Sequence, residues 1–262
     1  GSSTSHLMFS KVHLQRLAEG LSSRFVVVNR QVLWRSPILL TPYRSDYTID
    51  ADELKEFFGN AYKNAKLTPE DIDTGAVILT GEALKRNNAR AIADLFAEES
   101  GKFVCASAGH NLEALMAANG SGAVGLSRKD HQTILNIDVG GGTVKLGLCH
   151  NGKLLATSAF AVGGRLIAFD DDGKMVRIEG PAEQVAEDVG VKLALGEVLS
   201  KEDRKKIVSR MVDVIVSYAT RDPNDDLCKA LLLTENLPQT PAIDGITFSG
   251  GVSEYIYRRD EE

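Results

Sequence analysis

Apolar residues recur along this chain at two periods, about 2 and about 3.6, and each change of period marks a new element. Strands are expected over 5–12 and 25–33, joined by a polar, glycine-containing stretch. A helix follows over 49–65: Asp50 can cap it, and Leu54, Phe57, Phe58 and Tyr62 recur at helical spacing. Thr68-Pro69-Glu70-Asp71 reads as a turn or short helix start. A short buried strand is expected over 76–79, and a helix over 82–99 with Ala89, Ile92, Ala93 and Phe96 on one face. Another strand is expected over 103–107, then a helix over 112–118 ended by Asn119-Gly120.

The segment 127–132 is short, polar and charged, and a domain boundary is expected there, giving domains 1–130 and 131–262. Beyond it Ile134-Leu-Asn-Ile-Asp138-Val-Gly140-Gly141-Gly142-Thr143 leads into alternating Val144, Leu146 and Leu148 against Lys145, Gly147 and Cys149. That alternation is the period of a strand, so the glycines join strand to strand. Asn151-Gly152 then predicts a two-residue hairpin turn into a third strand over 153–162. A hairpin around Asp170-Asp171-Asp172-Gly173 joins strands over 165–169 and 174–178. Residues 182–199 read as mostly helical. Ser200 caps an amphipathic helix with Ile207, Val208, Met211, Val212, Ile215 and Tyr218 on one face, and 221–226 is a turn. The last unit, 245–255, is a strand running into Ser249-Gly250-Gly251 and a helix start.

Composition narrows the class. The 262 residues, 43% apolar and 25% charged, suit a globular protein with one large or two modest cores. A net charge of −6 offers no basic field for nucleic acid, and the cluster Arg204-Lys205-Lys206 beside Glu202 and Asp203 reads as a solvated helix face. Cys105, Cys149 and Cys228 form no C-x-x-C pair, and Cys105 and Cys149 read as small core residues. The five histidines show no metal-ligand spacing, and the acidic triplet 170–172 lacks a calcium-loop pattern. No apolar run approaches the roughly 18 residues of a membrane span. The default expectation is a reducing, cytoplasmic setting with no nucleic-acid or membrane partner.

The glycine loop carries the chemistry. Three consecutive glycines leave backbone amides uncovered and free to take positive φ, which suits a nest for phosphate oxygens. Asp138 stands where it could hold magnesium through water, and Thr143 adds a hydroxyl. Rossmann and Walker loops open into a helix, whereas this one opens into a strand, which excludes both. Gly1-Ser2-Ser3-Thr4 followed by a strand repeats the pattern of Gly140 to Thr143, and reads as the remnant of a first phosphate loop, with a cloning scar as the alternative reading of its Gly-Ser start.

Two glycine-hairpin loops plus a late Ser-Gly-Gly before a helix resemble the actin, Hsp70 and sugar-kinase superfamily. More specific is a resemblance to the ethanolamine ammonia-lyase reactivating protein family (EutA). It rests on Val32-Leu33-Trp34-Arg35-Ser36-Pro37-Ile38, Thr41-Pro42-Tyr43, Asp73 to Ala83 with its Thr80-Gly81-Glu82, and Asn87-Asn88-Ala89. Ala106 to Glu113, Gly120-Ser121-Gly122-Ala123 and Ser249-Gly250-Gly251-Val252-Ser253-Glu254-Tyr255-Ile256-Tyr257 extend it over nearly the whole chain. Family members are longer, so the sequence reads as a fragment cut inside the first loop, and such a fragment is expected to bind ATP poorly.

The resemblance implies an α/β protein of two ribonuclease-H-like, actin-like ATPase domains with mixed five-stranded-type sheets, truncated at both ends. It implies ATP and Mg2+ as cofactors, ethanolamine ammonia-lyase as partner, and room for a homo-oligomer. The function it implies is ATP-dependent release of damaged cobalamin from that lyase, so that adenosylcobalamin can rebind. The location would be cytoplasmic, with a bacterial microcompartment as the alternative. By the same resemblance Gly1, Ser2, Ser3 and Thr4 belong to the first phosphate site, and Asp138, Gly140, Gly141, Gly142 and Thr143 to the second phosphate and magnesium site. Ser249, Gly250 and Gly251 then belong to the adenosine turn. Counting back from Gly120 puts Asn111 where Hsp70-like relatives hold an acidic residue that positions water, with His110 before it and Glu113 after. Asn can orient water but cannot take its proton, so at most a weak ATPase is expected. A small-molecule kinase of the same superfamily, or a nucleotide-binding scaffold, remains the alternative.

Overall fold

A computed structural model describes residues 4–16, 25–44, 48–80 and 103–258. The helix expected over 82–99 lies outside them, as do Gly81 and Glu82. The chain divides into two compact units, Gly1–Ala106 and Ser107–Glu262.

In the first unit, β1 (Thr4–Ser5) pairs antiparallel with β4 (Leu39–Leu40). β2 (Met8–Arg16) and β3 (Phe25–Arg35) form an antiparallel ribbon in which Phe9 alone on β2 is buried. Phe9 meets Tyr62 edge-on at 4.9 Å between ring centroids and Trp34 at 6.0 Å, so a single aromatic anchors the ribbon's base. α1 (Ala51–Ala65) starts as expected at Asp50, whose Oδ1 accepts from the backbone N–H groups of Asp52 and Glu53. It ends where Lys66 turns left-handed at φ 57°. Leu54 of α1 packs with Ile49, Leu39, Tyr43 and Phe58. β5 (Gly75–Thr80) and β6 (Phe103–Ala108) pair as a further two-stranded sheet.

The second unit is built on a four-stranded mixed sheet in the order β12-β7-β8-β9. β7 (Thr133–Val139), β8 (Val144–His150) and β9 (Lys153–Phe160) form an antiparallel meander, while β12 (Gly245–Ser249) joins β7 in parallel. The Asn151-Gly152 turn between β8 and β9 has positive φ at both positions, 48° and 76°. That is the turn whose twist matches a hairpin. Before the sheet lie α2 (His110–Gly120) and α3 (Ala123–Lys129). The second of these was not expected: the charged end of 127–132 reads as a linker, yet Ala123 and Ser127 are fully buried against the sheet.

Both faces of this sheet are covered, so β8 is buried at every position but its last. On one face Leu135, Ile137, Val139, Val144, Leu146 and Leu148 enter a large core. Opposite are α4 (Gly180–Asp188), α5 (Lys201–Ala219) and α6 (Asp226–Leu231), packed around the β-hairpin of β10 (Ile167–Phe169) and β11 (Met175–Ile178). Phe160 stacks on Tyr218 at 4.3 Å between centroids, and the buried Tyr218 hydroxyl donates to the Cys228 carbonyl at 2.7 Å. Burial pushes that phenol up to about 12. On the other face Ile134 and Cys149 pack with Ala118 and Ala123 of the two preceding helices. The last helix, α7 (Ser253–Ile256), follows β12.

Three expectations of this half are corrected. The helix expected over 182–199 ends at Asp188, because Gly190 and Gly196 take φ of 69° and 82° and break the backbone. On α5 the buried stripe is Ile207, Val214 and Tyr218 with Met211 and Ile215 beside it, while Val208 and Val212 are about half exposed. The α6 helix replaces the end of the expected 221–226 turn, with Asp225 as its N-cap accepting from the Cys228 N–H.

Candidate functional site

Pleating sends alternate residues of β7 to opposite faces. The odd positions 135, 137 and 139 feed the large core, and the even ones begin apolar at Ile134 and turn polar at Asn136 and Asp138. Register carries that polar row across the sheet. Thr247 and Ser249 stand beside Asn136 and Asp138 on β12, and Gly147 and Lys145 stand opposite the same two residues on β8. Thr157 and Ala159 continue the row on β9. A hydrogen-bonded chain links the first four. Thr247 Oγ1 donates to Asn136 Oδ1 at 3.0 Å, and Asn136 Nδ2 donates to Ser249 Oγ at 3.0 Å. Ser249 Oγ then donates to Asp138 Oδ1 at 2.8 Å, which fixes the carboxylate at the mouth of the glycine loop.

The loop itself is closed by Gly140 N–H donating to the Thr143 carbonyl at 3.0 Å, and Gly140 to Thr143 are half-buried. Its carbonyls are taken by a second glycine segment: Gly164 N–H donates to Gly140 at 3.0 Å and Arg165 N–H to Gly141 at 2.7 Å. A Cβ on Gly163 would collide with the Gly141 carbonyl, and one on Gly250 with the Val139 carbonyl. Three backbone segments therefore approach as closely as glycine permits. Positive φ is a need of Gly250, at 84°, and not of Gly140, Gly141 or Gly142; a Cβ on Gly140 would stand 3.2 Å from the Thr143 carbonyl oxygen of the same loop.

Beneath the loop lies a buried ion pair. Lys145 Nζ sits 2.5 Å from Glu113 Oε2, with 9% and 10% of the two side chains exposed. Lys145 reaches the underside of Gly140, its Nζ 3.8 Å from where a Cβ on that glycine would stand. Glu113 arrives on α2, which lies on β8 because Gly147 leaves space there: a Cβ at 147 would come within 3.1 Å of the Ala118 Cβ. The same helix brings Asn111, whose Oδ1 accepts from Thr157 Oγ1 at 3.0 Å.

Asp138, Gly140, Gly141, Gly142 and Thr143 thus lie with Ser249 and Gly250 around the ends of two parallel strands, and Gly251 continues the turn into α7. Asn111 is placed on α2 beside β9. Thr4 begins β1 in the first unit, paired with Leu40. Gly1, Ser2 and Ser3 lie outside the described residues. Gly163, Gly164, Asn136 and the Lys145–Glu113 pair were not singled out from the sequence. A second Gly-Gly directly after the third strand, and a lysine at an inward strand position, are the signals that point to them.

One carboxylate and one hydroxyl at a glycine loop suit a magnesium ion held mainly by water and phosphate, not a caged metal. Among the described residues no group of three or more His, Cys, Asp or Glu side chains could hold a metal.

The family described as ethanolamine utilisation protein EutA matches residues 1–262. The chain belongs to the EutA family. It is 34% identical over 255 residues to the ethanolamine ammonia-lyase reactivase EutA of Salmonella typhimurium, covering 97% of this chain and 54% of that protein. The Escherichia coli reactivase of the same name is 34% identical over 257 residues, again with 97% and 54% covered. The chain spans about half the length of these EutA relatives. Among solved structures, a Ppx/GppA family member of Aquifex aeolicus shares 11% identity at a TM-score of 0.47, over 100% of this chain and 68% of that one. MreB5 of Spiroplasma citri bound to AMPPNP shares 17% at a TM-score of 0.42, over 85% and 72%. The mixed α/β class expected of a EutA member is the class observed. Among the described residues no helix is long and apolar enough to cross a membrane.

Proposed function

We propose that this chain forms part of an ATP-dependent reactivating factor for ethanolamine ammonia-lyase, releasing damaged cobalamin so that adenosylcobalamin can rebind. The observation that supports it best is the meeting of Asp138, the glycine loop and the Ser249-Gly250 turn at the ends of one parallel strand pair. The EutA relatives carry the reactivase name. In this reading residues 1–130 and 131–262 correspond to two actin-like ATPase domains, with Thr4 in the first phosphate site. Asp138 and Thr143 hold the magnesium, the amides at 140–142 face phosphate, Gly250 and Gly251 leave room for the adenosine, and Asn111 orients water. Magnesium nucleotide supplies a ligand whose hydrolysis can change the affinity for a partner, and only such a difference can drive release. We place the protein in the cytoplasm, with a bacterial microcompartment as a further site of action, and allow a homo-oligomer.

The complete protein that contains this chain is incubated with inactivated lyase, ATP, Mg2+ and adenosylcobalamin, and ammonia production is followed. Recovery is expected with the parent protein and lost with Asp138→Asn. No recovery with the parent sinks the reading, and phosphorylation of a metabolite in its place favours the kinase.

A further inference from the structure

The Lys145–Glu113 pair is under-satisfied for a buried ion pair. An ammonium carries three N–H donors and a carboxylate accepts at both oxygens. Among the described residues Glu113 is the one partner recorded for the lysine, and Glu113 Oε1 is buried with no hydrogen-bond partner. Burying two charges repays its desolvation only when the remaining donors and acceptors are also met. A hydrophobic pair would fill the same space between α2 and β8 without that cost. The pair also stands where charge matters. Lys145 is directly opposite Asp138 across the β7–β8 ladder and its Nζ lies under Gly140. The carboxylates of Asp138 and Glu113 by themselves repel phosphate here, and a cation with unused donors counters that repulsion at the loop.

We propose that Lys145 is a phosphate-binding residue of the glycine loop, its ammonium held in reserve by Glu113 and shared with a phosphate oxygen when a ligand enters. The proposal rests on reading the loop as a phosphate site. It specifies the ligand as a phosphate-bearing one, a nucleotide or free phosphate, recognised at the loop by a side-chain cation as well as by backbone amides. Arg165, whose N–H binds the Gly141 carbonyl, is the rival cation beside the same loop.

Calorimetric titration of the complete protein with ATP, inorganic phosphate and adenosine, each with Mg2+, tests this. Lys145→Met alone strands a buried carboxylate and can cost the fold, so Lys145→Met with Glu113→Leu, which removes both charges together, is the deciding variant. It is expected to weaken ATP binding about ten- to a hundredfold, the loss of a charge-assisted hydrogen bond, and to leave adenosine binding unchanged. Glu113→Gln, which loosens the lysine's hold, is expected to tighten ATP and phosphate. If phosphate binds with ATP's dependence on Lys145, the site takes the free anion; if only ATP does, the ligand is a nucleotide. Equal ATP affinity in the double variant and the parent overturns the proposal while leaving the phosphate site intact, as does a loss confined to Arg165→Ala. Equal weakening of adenosine and ATP shows a structural pair and also overturns it. A folded parent that binds neither ATP nor phosphate removes the site and the proposal together.

Discussion

Gly163 is where one added methyl group separates the loop's architecture from its chemistry. A Cβ there would collide with the Gly141 carbonyl, and both neighbours are backbone, so neither can swing away. Gly163→Ala is therefore expected to destabilise the protein by about 1–3 kcal/mol, read as a lower urea midpoint. It should also displace the 140–143 loop, read as shifted amide resonances of Gly140 to Thr143. Gly173, whose Cβ would meet nothing within 4 Å, is the comparison: at φ 78° an alanine there costs only the strain of its left-handed backbone. An unchanged midpoint for Gly163→Ala would show that the two glycine segments do not touch. The sequence displays Gly163-Gly164 as plainly as Gly140 to Gly142, but its meaning depends on a contact across more than twenty residues of chain, which no local pattern encodes. Asp138 differs: its place at the end of an apolar strand, before glycines, marks it out locally.

At the scale of elements, α4, α5 and α6 are tied by one side chain. Arg210 of α5 donates through Nε to Asp188 at 2.7 Å and through Nη2 to Asp225 at 2.9 Å. Asp225 is also the N-cap of α6, where Oδ1 accepts the Cys228 N–H at 2.6 Å. That backbone hydrogen bond, aided by Arg210, holds the Asp225 carboxyl below the usual aspartate range, even against partial desolvation. A depressed carboxyl contributes stability above the unfolded-state value, near 4, and loses it as pH falls through the lower folded value. Asp225→Ala is expected to lower stability by about 1 kcal/mol at neutral pH, the usual cost of a lost cap. The gap from the parent should narrow as pH falls below about 4, measured by thermal melts across pH. A gap independent of pH would mean that the carboxylate's charge plays no part. Periodicity showed α5 and its Ser200 cap, whose hydroxyl accepts from the Asp203 N–H at 3.0 Å. It found Ile207, Met211, Ile215 and Tyr218 of the buried stripe but added the half-exposed Val208 and Val212 and left out the buried Val214, and it missed α6, six residues too few to display a period.

For the whole molecule, among the described residues the second unit's two hydrophobic cores are built from its own side chains. Every member of both clusters lies between Ala118 and Val252. Residues 107–262 expressed alone are therefore expected to fold, giving a single cooperative melt and dispersed amide resonances. Broad, non-cooperative unfolding would show that this unit draws stability from outside itself. The sequence by itself determined the elements with strong local signals: the strand-loop-strand around 140–142, the Asn151-Gly152 hairpin, the Asp50 and Ser200 caps and the family. Apart from the family, whose motifs run along nearly the whole chain, each depends on residues within a turn or two of one another, where spacing and backbone preference act directly. Only the tertiary structure decided which polar residues share a pocket. It paired Asp138 with Ser249 across a parallel ladder 111 positions apart in sequence, and brought Glu113 on a helix to Lys145 on a strand. Those contacts follow from register and from the space left at Gly147, which are properties of the packed sheet and of no single segment.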